Sequence, residues 1–420
     1  MAQVKSLQTG IKFKDTPIGK IPVDWEVRKV EDIGDIVTGS TPRTEVKEYY
    51  GNKYMFVTAA DMNDFKYVKR TARMLSDEGM KVSRRIPKDS VMVVCIASIG
   101  KLAMSFEDCS TNQQINSIIC NETANSHFIY YLISSKISQL SSLSGKTAVP
   151  IVNKGLFSKL LIQLPHLEEQ KKIAEILTTV DDGIEETDRI IEKIKELKKG
   201  LMQKLLTRGI GHKKFKKTEI GEIPEEWEVI KLDKVVKEFF NGGTPDTKFK
   251  KYWDGNIPWV TGADFINQRI ELIRRYITLD GVKNSATNII PKGNLLIVTR
   301  TGVGKLAIAP FDIAISQDIT GVITDIKRVR PDFVYRFLDY HEKKLKSFVQ
   351  GTSINGLLRE DLASLSISIP PLKEQKEIVN VFTAIDLEID NEEANKQNLE
   401  TLKKSLMQVL LTGKVRVKLH

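Results

Sequence analysis

Two short segments carry the residue types that could bind a phosphate group. Each places glycine and lysine together in a turn between two strand-like apolar runs, Gly100-Lys101-Leu-Ala and Gly302-Val-Gly304-Lys305-Leu-Ala. A nucleotide-binding loop would also need a glycine five residues before the Gly-Lys pair and a hydroxyl residue after it. The chain has Cys95 or Thr299 at the first place and leucine at the second. The pattern therefore favours either a contact to a nucleic-acid phosphate or a plain tight turn.

No constellation of residues predicts catalysis. The five histidines do not recur at matching places, and no Cys/His spacing is typical of a metal site. Pro331-Asp332 followed by Glu342-Lys343-Lys344 has the look of a nuclease pattern, but the helical spacing between them favours a solvated helix face. The Asp/Asn-Pro-Pro-aromatic tetrapeptide of adenine methyltransferases is missing. The sequence thus predicts no catalytic residue, no metal and no cofactor.

The glycine–lysine turns occur twice because the chain contains two copies of one segment. Residues 13–27 return as residues 215–229, at an offset of 202 residues that drifts to 205 further along. This period is the size of a domain rather than of a solenoid repeat. Each copy mixes short strand-like runs with short helical segments, which predicts an α+β domain. The fold class expected is therefore two tandem, similar α+β domains.

Each copy closes with a segment in which apolar residues recur every three or four positions. The segments open with Pro-x-Leu-x-Glu-Gln-Lys and end with Leu-Lys-Lys-x-Leu-Met-Gln-x-Leu-Leu-Thr. The spacing predicts two helices of roughly 39 residues, about 58 Å long, with a coiled-coil seam. The predicted seam residues are Ile173, Leu177, Val180, Ile184, Ile191, Ile194, Leu197, Leu201 and Leu205, and then Ile378, Phe382, Ile385, Ile389, Leu399, Leu402, Leu406 and Leu410.

The two long helices are predicted to pair antiparallel with pseudo-twofold symmetry. The connection between the copies, residues 208–215, is too short to run back along a helix of about 58 Å. Mid-helix residues differ between the copies, which indicates either polarity that sets the register or drift in a solvated stretch; they are Thr187, Ile191, Glu392 and Lys396. The predicted divisions are domain one at 1–163, helix one at 164–208, domain two at 209–368, helix two at 369–412 and a tail at 413–420.

Bulk properties limit the environment and the partners. The formal charge of +10 and the pI near 9.2 favour a nucleic acid or another anionic partner, although a generally basic surface would give the same numbers. No apolar run approaches the length of a membrane helix, and the first residues lack the apolar core of a signal peptide. Three cysteines, all in the first half, do not suggest a disulfide framework. We therefore expect a cytoplasmic protein with no membrane contact.

These motifs resemble the specificity subunit of type I restriction–modification systems. The resemblance is carried by Ile-Gly-x-Ile-Pro-x-x-Trp, Gly-x-Thr-Pro, the Gly-Lys-Leu-Ala turn with its downstream glutamine, and the two helix signatures, in that order and twice. It spans nearly the whole chain. It implies a non-catalytic subunit whose two target-recognition domains each read one half of a split site in double-stranded DNA. It also implies that the helices act as a spacer and dock two methyltransferase subunits, which restriction/translocase subunits join.

Candidate site residues follow from the matched positions. The predicted DNA-binding residues at matched places in loops or at strand ends are Thr41, Arg43, Lys101, Gln113, Thr244, Lys305 and Gln317. Charge alone adds Arg84, Arg85, Arg274, Arg275 and Arg300 to the predicted DNA-binding residues. The two glutamines could equally tie a loop down, and each basic cluster could be ordinary solvated surface. The predicted partner-binding residues lie at the helix ends: Glu169, Gln170, Leu201, Met202, Glu374, Gln375, Leu406 and Met407.

Two other kinds of protein would share some of these features. One is an architectural coiled-coil protein whose globular domains bind protein, and the other is a stand-alone DNA-modifying enzyme. The missing cofactor loop and tetrapeptide argue against the enzyme. Because the copies share framework motifs and differ in basic and polar loop residues, we expect two different half-sites. Half-sites on one face of the duplex would lie about one helical turn, roughly 34–36 Å, apart.

Overall fold

The computed structural model describes residues 11–63, 65–144, 149–300, 302–349 and 356–418. The chain divides into two compact units. Unit one contains the residues up to Ile190 together with those from Glu392 onward, and unit two contains Ile191–Asn391. Each unit therefore holds one copy of the repeated domain and a part of both long helices.

The first copy and its long helix comprise the following elements. The helices are α1 Asp77–Val82, α2 Ser126–Ser135, α3 Ile137–Ser142, α4 Lys154–Ser158 and α5 Leu167–Arg208. The strands are β1 Phe13–Thr16, β2 Gly19–Pro22, β3 Glu26–Lys29, β4 Gly34–Thr38, β5 Tyr50–Val57, β6 Tyr67–Val68, β7 Met74–Leu75, β8 Arg85–Ile86, β9 Val91–Val94, β10 Leu102–Ser105, β11 Cys109–Thr111, β12 Ile115–Cys120 and β13 Leu161–Leu164.

The second copy repeats this order. Its helices are α6 Leu279–Lys283, α7 Pro331–Tyr340, α8 Glu342–Val349, α9 Arg359–Ser364 and α10 Leu372–Leu410. Its strands are β14 Phe215–Thr218, β15 Gly221–Pro224, β16 Glu228–Lys231, β17 Val236–Asn241, β18 Trp253–Val260, β19 Phe265–Ile266, β20 Arg269–Ile270, β21 Arg275–Ile277, β22 Ile289–Ile290, β23 Leu295–Val298, β24 Leu306–Ile308, β25 Ile313–Ile315, β26 Ile319–Thr324 and β27 Ser366–Ile369.

The sheets of the two copies have the same topology. In the first copy one sheet runs β4-β12-β9-β10-β6 and a second runs β7-β5-β11-β8; in the second copy the orders are β17-β26-β23-β24 and β21-β18-β25-β22. The copies differ at one edge, where β6 pairs parallel with β10, whereas β19 and β20 form a separate hairpin. The predicted α+β class and its duplication are confirmed.

A fully buried tryptophan stands at the same place in each core. Trp25 and Trp227 are completely buried, and the indole N–H of each donates to a glutamate in the first turn of a long helix. A buried indole needs such an acceptor, because an unpaired N–H in an apolar core is costly. The repeated Ile-Pro-x-x-Trp motif thus fastens the start of each domain to its long helix.

The two long helices run 42 and 39 residues, about 63 and 58 Å. They begin at Leu167 and Leu372, three residues after the predicted starts, because Leu164 and Ile369 are the last residues of strands β13 and β27. The first turns contain Glu168 and Glu169 in α5 and Glu374 in α10, whose negative charges interact favourably with the positive end of the helix dipole. In the part of the chain that the structure describes, no helix combines the length and apolarity needed to span a bilayer.

Ion pairs within each unit show that the helices pair antiparallel, as predicted. In unit one, Lys403 of α10 contacts Asp181 of α5 at 2.6 Å, and Lys396 contacts Asp188 at 2.7 Å. The later residue of α10 thus meets the earlier residue of α5. In unit two, Lys198 contacts Asp386 at 2.7 Å. At the 205-residue offset Lys396 corresponds to Ile191, so the equivalent residues cannot repeat this ion pair, which favours the register-setting interpretation of the mid-helix differences.

Two leucines predicted to lie in the seam are instead exposed. Leu197 is 56% exposed and Leu402 is 46% exposed, whereas Ile173, Leu177 and Ile378 are fully buried. A straight helix has 3.6 residues per turn, so an apolar pattern assigned at 3.5 drifts around the helix by about 20° per heptad. The seam prediction is therefore wrong at these two equivalent positions, which present leucine to solvent.

Candidate nucleic-acid interface

The Gly-x-Thr-Pro loop of each domain is held against the adjacent strands by its backbone. The Gly39 N–H donates to the Ile115 carbonyl at 3.0 Å, and the Ser40 N–H donates to the Thr111 carbonyl at 2.9 Å. A Cβ at Gly39 would lie only 2.2 Å from that Thr111 carbonyl, so a side chain cannot fit there. Gly242 makes an equally close approach to the Ser316 backbone. Glycine is required because this loop packs directly on a neighbouring strand end.

The predicted threonine and glutamine of each domain come together on this loop. The Thr41 hydroxyl donates to Gln113 Oε1 at 2.6 Å, and the Thr244 hydroxyl donates to Gln317 Oε1. In the described residues, neither glutamine amide nitrogen has a hydrogen-bond partner inside the chain. The glutamines thus tie the loop through one atom and present the other, a donor, to solvent. Loop fastening and ligand binding, which the sequence left as alternatives, are compatible here.

The predicted lysines fasten a second pair of loops. Lys101 Nζ donates to the Ala59 carbonyl at 3.0 Å, and Lys305 Nζ donates to the Gly262 and Phe265 carbonyls at 3.1 and 3.3 Å. The glycine before each lysine has a positive φ, near 95°, which favours glycine. Both lysines have structural partners, yet neither is neutralised by a carboxylate in the described contacts. Each ammonium group therefore serves first to hold a loop, through carbonyl acceptors.

An aspartate carboxylate stabilises the loop that follows β5 in domain one and β18 in domain two. Asp61 accepts hydrogen bonds from the Thr58 N–H and hydroxyl at 2.8 and 2.6 Å, and Asp264 does the same with Thr261 at 2.7 and 2.8 Å. Burial opposes ionisation of Asp264, but hydrogen bonds from Arg274 and Thr261 outweigh it and hold the pKa of Asp264 below its ordinary value. The two aspartates recur at matching places in the copies and are not among the residues predicted to bind DNA.

The predicted arginines fall into two groups. Arg84 donates to the Thr38 carbonyl at 2.5 Å, Arg85 pairs with Asp108, and Arg274 pairs with Asp264, so these three hold loops in place. The other three are exposed and have no carboxylate partner among the described ion pairs: Arg43, Arg275 and Arg300. The Arg85–Asp108 hydrogen bonds raise the pKa of Arg85 and lower that of Asp108. Charge alone did not distinguish the two groups.

Four residues predicted to bind partners lie inside the chain's own fold. Gln170 is fully buried: its Oε1 accepts from the Asn125 N–H at 2.8 Å and its Nε2 donates to the Thr123 and Pro165 carbonyls at 3.0 and 2.8 Å. Gln375 repeats the arrangement with residues 330, 328 and 370. The Glu-Gln pair therefore locks the long helix onto its domain, a role that its sequence pattern does not indicate.

The two glutamates of this pair have different partners in the two units. Glu169 accepts from Trp25 at 3.0 Å and from Arg416 at 2.6 and 2.8 Å, and Arg416 also bonds Asp24. The hydrogen bonds to Glu169 and Asp24 raise the pKa of Arg416. The hydrogen bond from Arg416 lowers the pKa of Asp24. Glu374 accepts from Trp227 and meets His212 Nε2 at 3.0 Å. Arg416 and His212 were missed because the segments after the long helices do not repeat in sequence.

The apolar residues predicted to bind partners are half-buried. Leu406 and Met407 pack against the core of unit one, and Leu201 and Met202 pack against the core of unit two. The exposed apolar side chains nearest them on the helices are Leu402 and Leu197. The structure thus leaves one matched leucine in solvent near the end of each helix. The described residues contain no cluster of three or more potential metal ligands.

Comparison with known proteins gives consistent matches along the chain. The sequence model of the family described as "Type I restriction modification DNA specificity domain" matches residues 22–196 and 224–401. A putative type I restriction enzyme MjaX specificity subunit of Methanocaldococcus jannaschii is 32% identical, over 97% of each chain. The MjaVIII specificity subunit of that organism is 28% identical, over 97% of this chain and 96% of the relative.

Solved structures share the fold. The crystal structure of the S subunit of a type I restriction–modification system from M. genitalium superposes with a TM-score of 0.64, at 14% identity, over 99% of both chains. A chain from a structure concerned with complex assembly and conformational transition of the type I system gives 0.58, at 19% identity, over 94% of this chain and all of that one.

Proposed function

Since the chain belongs to the family of type I restriction–modification specificity subunits, we propose that its two α+β domains read the two different halves of a split DNA site. A specificity subunit is the non-catalytic component of its complex and binds DNA and partner subunits. Each domain would read one half-site, with the domain boundaries at 1–163 and 209–368. The long helices at 164–208 and 369–412 would set the distance between the half-sites.

One observation carries the assignment of different half-sites. The short 3₁₀ helices at Lys47–Tyr49 and Lys250–Tyr252 occupy the same place in the two domains. The segment that leads through them is Glu45-Val-Lys-Glu48 in domain one and Lys248-Phe-Lys-Lys251 in domain two. The same turn is therefore net acidic in one domain and strongly basic in the other. Identical frameworks with loops of opposite charge are suited to two different DNA surfaces.

The matched helix ends support docking of two identical partners. Leu197 and Leu402 are equivalent and both exposed, and the lysines that follow each of them are repeated. We assign these surfaces to two methyltransferase subunits, which restriction/translocase subunits would join. The buried Glu169, Gln170 and Gln375 support the docking surface from inside by fixing the helices.

The three cysteines are free thiols, as in proteins of a reducing compartment, and we place the complex in the cytoplasm.

A domain exchange tests the assignment. Residues 209–368 would be replaced by the corresponding domain of the MjaX relative, and the chimera would be assembled with the methyltransferase subunits. Mapping methylated bases in DNA treated with each complex should show one half of the motif changed and the other half retained. A motif that changes in both halves, or in neither while the complex assembles, would contradict the assignment. The reciprocal exchange of residues 1–163 is the matched control and should change only the other half.

A further inference from the structure

Domain two contains an open cleft of about 570 Å³ between strands β18 and β21. Its walls are formed by Thr247, Trp253, Asp254, Gly255, Arg274, Arg275 and Tyr276. A bulge in β18 shapes the cleft: the strand shifts register between Trp253 and Ile257, and Asp254 has a φ of +58°. A bulge re-aims side chains, so Asp254 and Arg275 both line the same opening.

Arg275 is oriented by two tryptophans. Its guanidinium carbon lies 5.9 Å from the Trp253 ring and 5.8 Å from the Trp259 ring, and the two rings are perpendicular with centroids 5.3 Å apart. Cation–π contacts hold an arginine without consuming its N–H donors. Among the described ion pairs Arg275 has no carboxylate, whereas its neighbour Arg274 is bound to Asp264. Arg274 therefore supports the loop, and Arg275 keeps its donors for a ligand.

The cleft combines a donor and an acceptor in a way that fits a base-pair edge. Guanine presents two acceptors, O6 and N7, in the major groove, and its partner cytosine presents an N4 amino donor. Arginine donates bidentately to the guanine acceptors, and an aspartate accepts from the cytosine amine. A phosphate suits the cleft less well, because the Asp254 carboxylate would repel it. We propose that Arg275 and Asp254 read one G·C pair in the half-site of domain two; this inference rests on the proposed function.

Domain one has the same bulge, in β5 between Tyr50 and Tyr54, and an arginine at the equivalent place, but it lacks the tryptophan pair and the carboxylate. The strand registers align the two domains: Met74 pairs with Met55 as Tyr276 pairs with Pro258. The residue before Met74, Arg73, is therefore equivalent to Arg275. The positions of Trp253, Asp254 and Tyr276 are occupied by Tyr50, Gly51 and Met74. Arg73 therefore has neither the tryptophan pair nor the carboxylate, and it provides a matched control of the same residue type.

The experiment maps methylated sites in DNA treated with complexes of the full chain and its methyltransferase subunits. The variants are Arg275→Gln, Arg275→Lys and the control Arg73→Gln. Arg275→Gln should relax one G·C position, lowering discrimination there roughly 5- to 150-fold, as expected for loss of a bidentate contact. Arg275→Lys keeps the charge but not the fork, so it should relax the same position with nearly unchanged affinity. Arg73→Gln should leave the motif unchanged.

Two outcomes would overturn the inference. One is an unchanged motif with Arg275→Gln in a complex that assembles normally. The other is weaker binding at all positions equally, with the salt dependence reduced by about one phosphate contact. A wild-type complex that methylates no split motif would instead refute the proposed function itself, so the two failures are distinguishable.

Discussion

Asp181 and Lys403 form an ion pair of 2.6 Å between the long helices in unit one, and the pair recurs in unit two with the helices exchanged, as Asp386 and Lys198 at 2.7 Å. Each aspartate also contacts its own domain. Asp181 accepts from the Tyr131 hydroxyl at 2.6 Å, and Asp386 pairs with Arg336 at 2.6 Å. One carboxylate in each unit thus joins both helices to the globular domain.

Replacing Asp181 with alanine should destabilise unit one by about 3 kcal/mol. The carboxylate is only 13% exposed, and its removal would leave Lys403 without its anion and the Tyr131 hydroxyl with only the Thr178 hydroxyl, 3.3 Å away, as acceptor. Urea unfolding of wild type and variant measures the difference. The control Glu175→Ala removes a solvent-exposed ion pair on the same helix and should cost less than about 0.5 kcal/mol. Equal costs for the two variants would contradict the role given to Asp181.

Loss of Arg416 should cost more than loss of His212, although the two occupy equivalent places. The Glu169 side chain is 1% exposed, whereas that of Glu374 is 11% exposed. Arg416→Gln would leave a buried carboxylate charge without its cation, which costs about 3–5 kcal/mol. His212→Gln keeps a hydrogen-bond donor beside a carboxylate nearer to solvent and should cost about 1 kcal/mol. Thermal or urea unfolding of the two variants checks this order, and the reverse order would refute it.

Lys66 should make stability rise with pH between about 8 and 10.5. Burial lowers the pKa of Lys66 from its ordinary 10.5 to about 8, although carboxylates such as Asp181 and Asp182 oppose the change. In that window the unfolded chain holds a proton that the folded chain has lost, so the free energy of unfolding increases with pH. Below pH 8 both states are protonated, and the cost of burying the ammonium is fully present.

The Lys66→Met variant isolates this effect. Relative to the variant, the wild type should gain roughly 1–3 kcal/mol across the window, the lower figures allowing for residual hydration of the ammonium. Lys66 also donates to Tyr131 and Thr178, so the variant's stability at neutral pH measures the sum of both effects. Lys172→Met, on an exposed ion pair of α5, should show no such difference. A wild-type-minus-variant difference that is flat from pH 8 to 10.5 would refute the assignment.

Arg300 and Lys305 should affect DNA binding in different ways. Lys305 donates to two loop carbonyls, so Lys305→Met should weaken binding by disordering the loop, with little change in the salt dependence. Arg300 is exposed, and Arg300→Gln should reduce the slope of log affinity against log salt by about one phosphate contact. Gel shifts of the assembled complex across salt concentrations measure both slopes. Two equal slopes would show that the structure does not separate their roles.

Much of the framework could be predicted from the repeated residues. Recurrence in both copies predicts the site residues Thr41, Gln113, Thr244 and Gln317, and in each domain the threonine and the glutamine are hydrogen-bonded. Recurrence identifies such pairs because a duplicated domain keeps the contacts that hold its loops. The long helices were predictable for a similar reason, since their apolar spacing is repeated.

Contacts made by unrepeated residues could not be predicted. Arg416 reaches Glu169 and Asp24 across 247 and 392 residues of sequence, and no local pattern indicates such a pairing. Glu169 and Gln170 are predicted to bind partners because the ends of the two helices match between the copies. Here Glu169 and Gln170 are buried because the fold supplies every hydrogen-bond partner they need. Whether such a residue binds a partner or fastens its own helix depends on which residues surround it in the folded protein, and the sequence does not show that.

The methylation motif of the assembled complex tests the central claim most directly. The full chain with the proposed methyltransferase subunits would modify random-sequence DNA, and the methylated sites would be sequenced. Two domains with one framework and different loops predict a split motif whose two halves differ and are separated by a gap of fixed length. A continuous motif, or a split motif with two identical halves, would contradict the claim that each domain reads its own sequence.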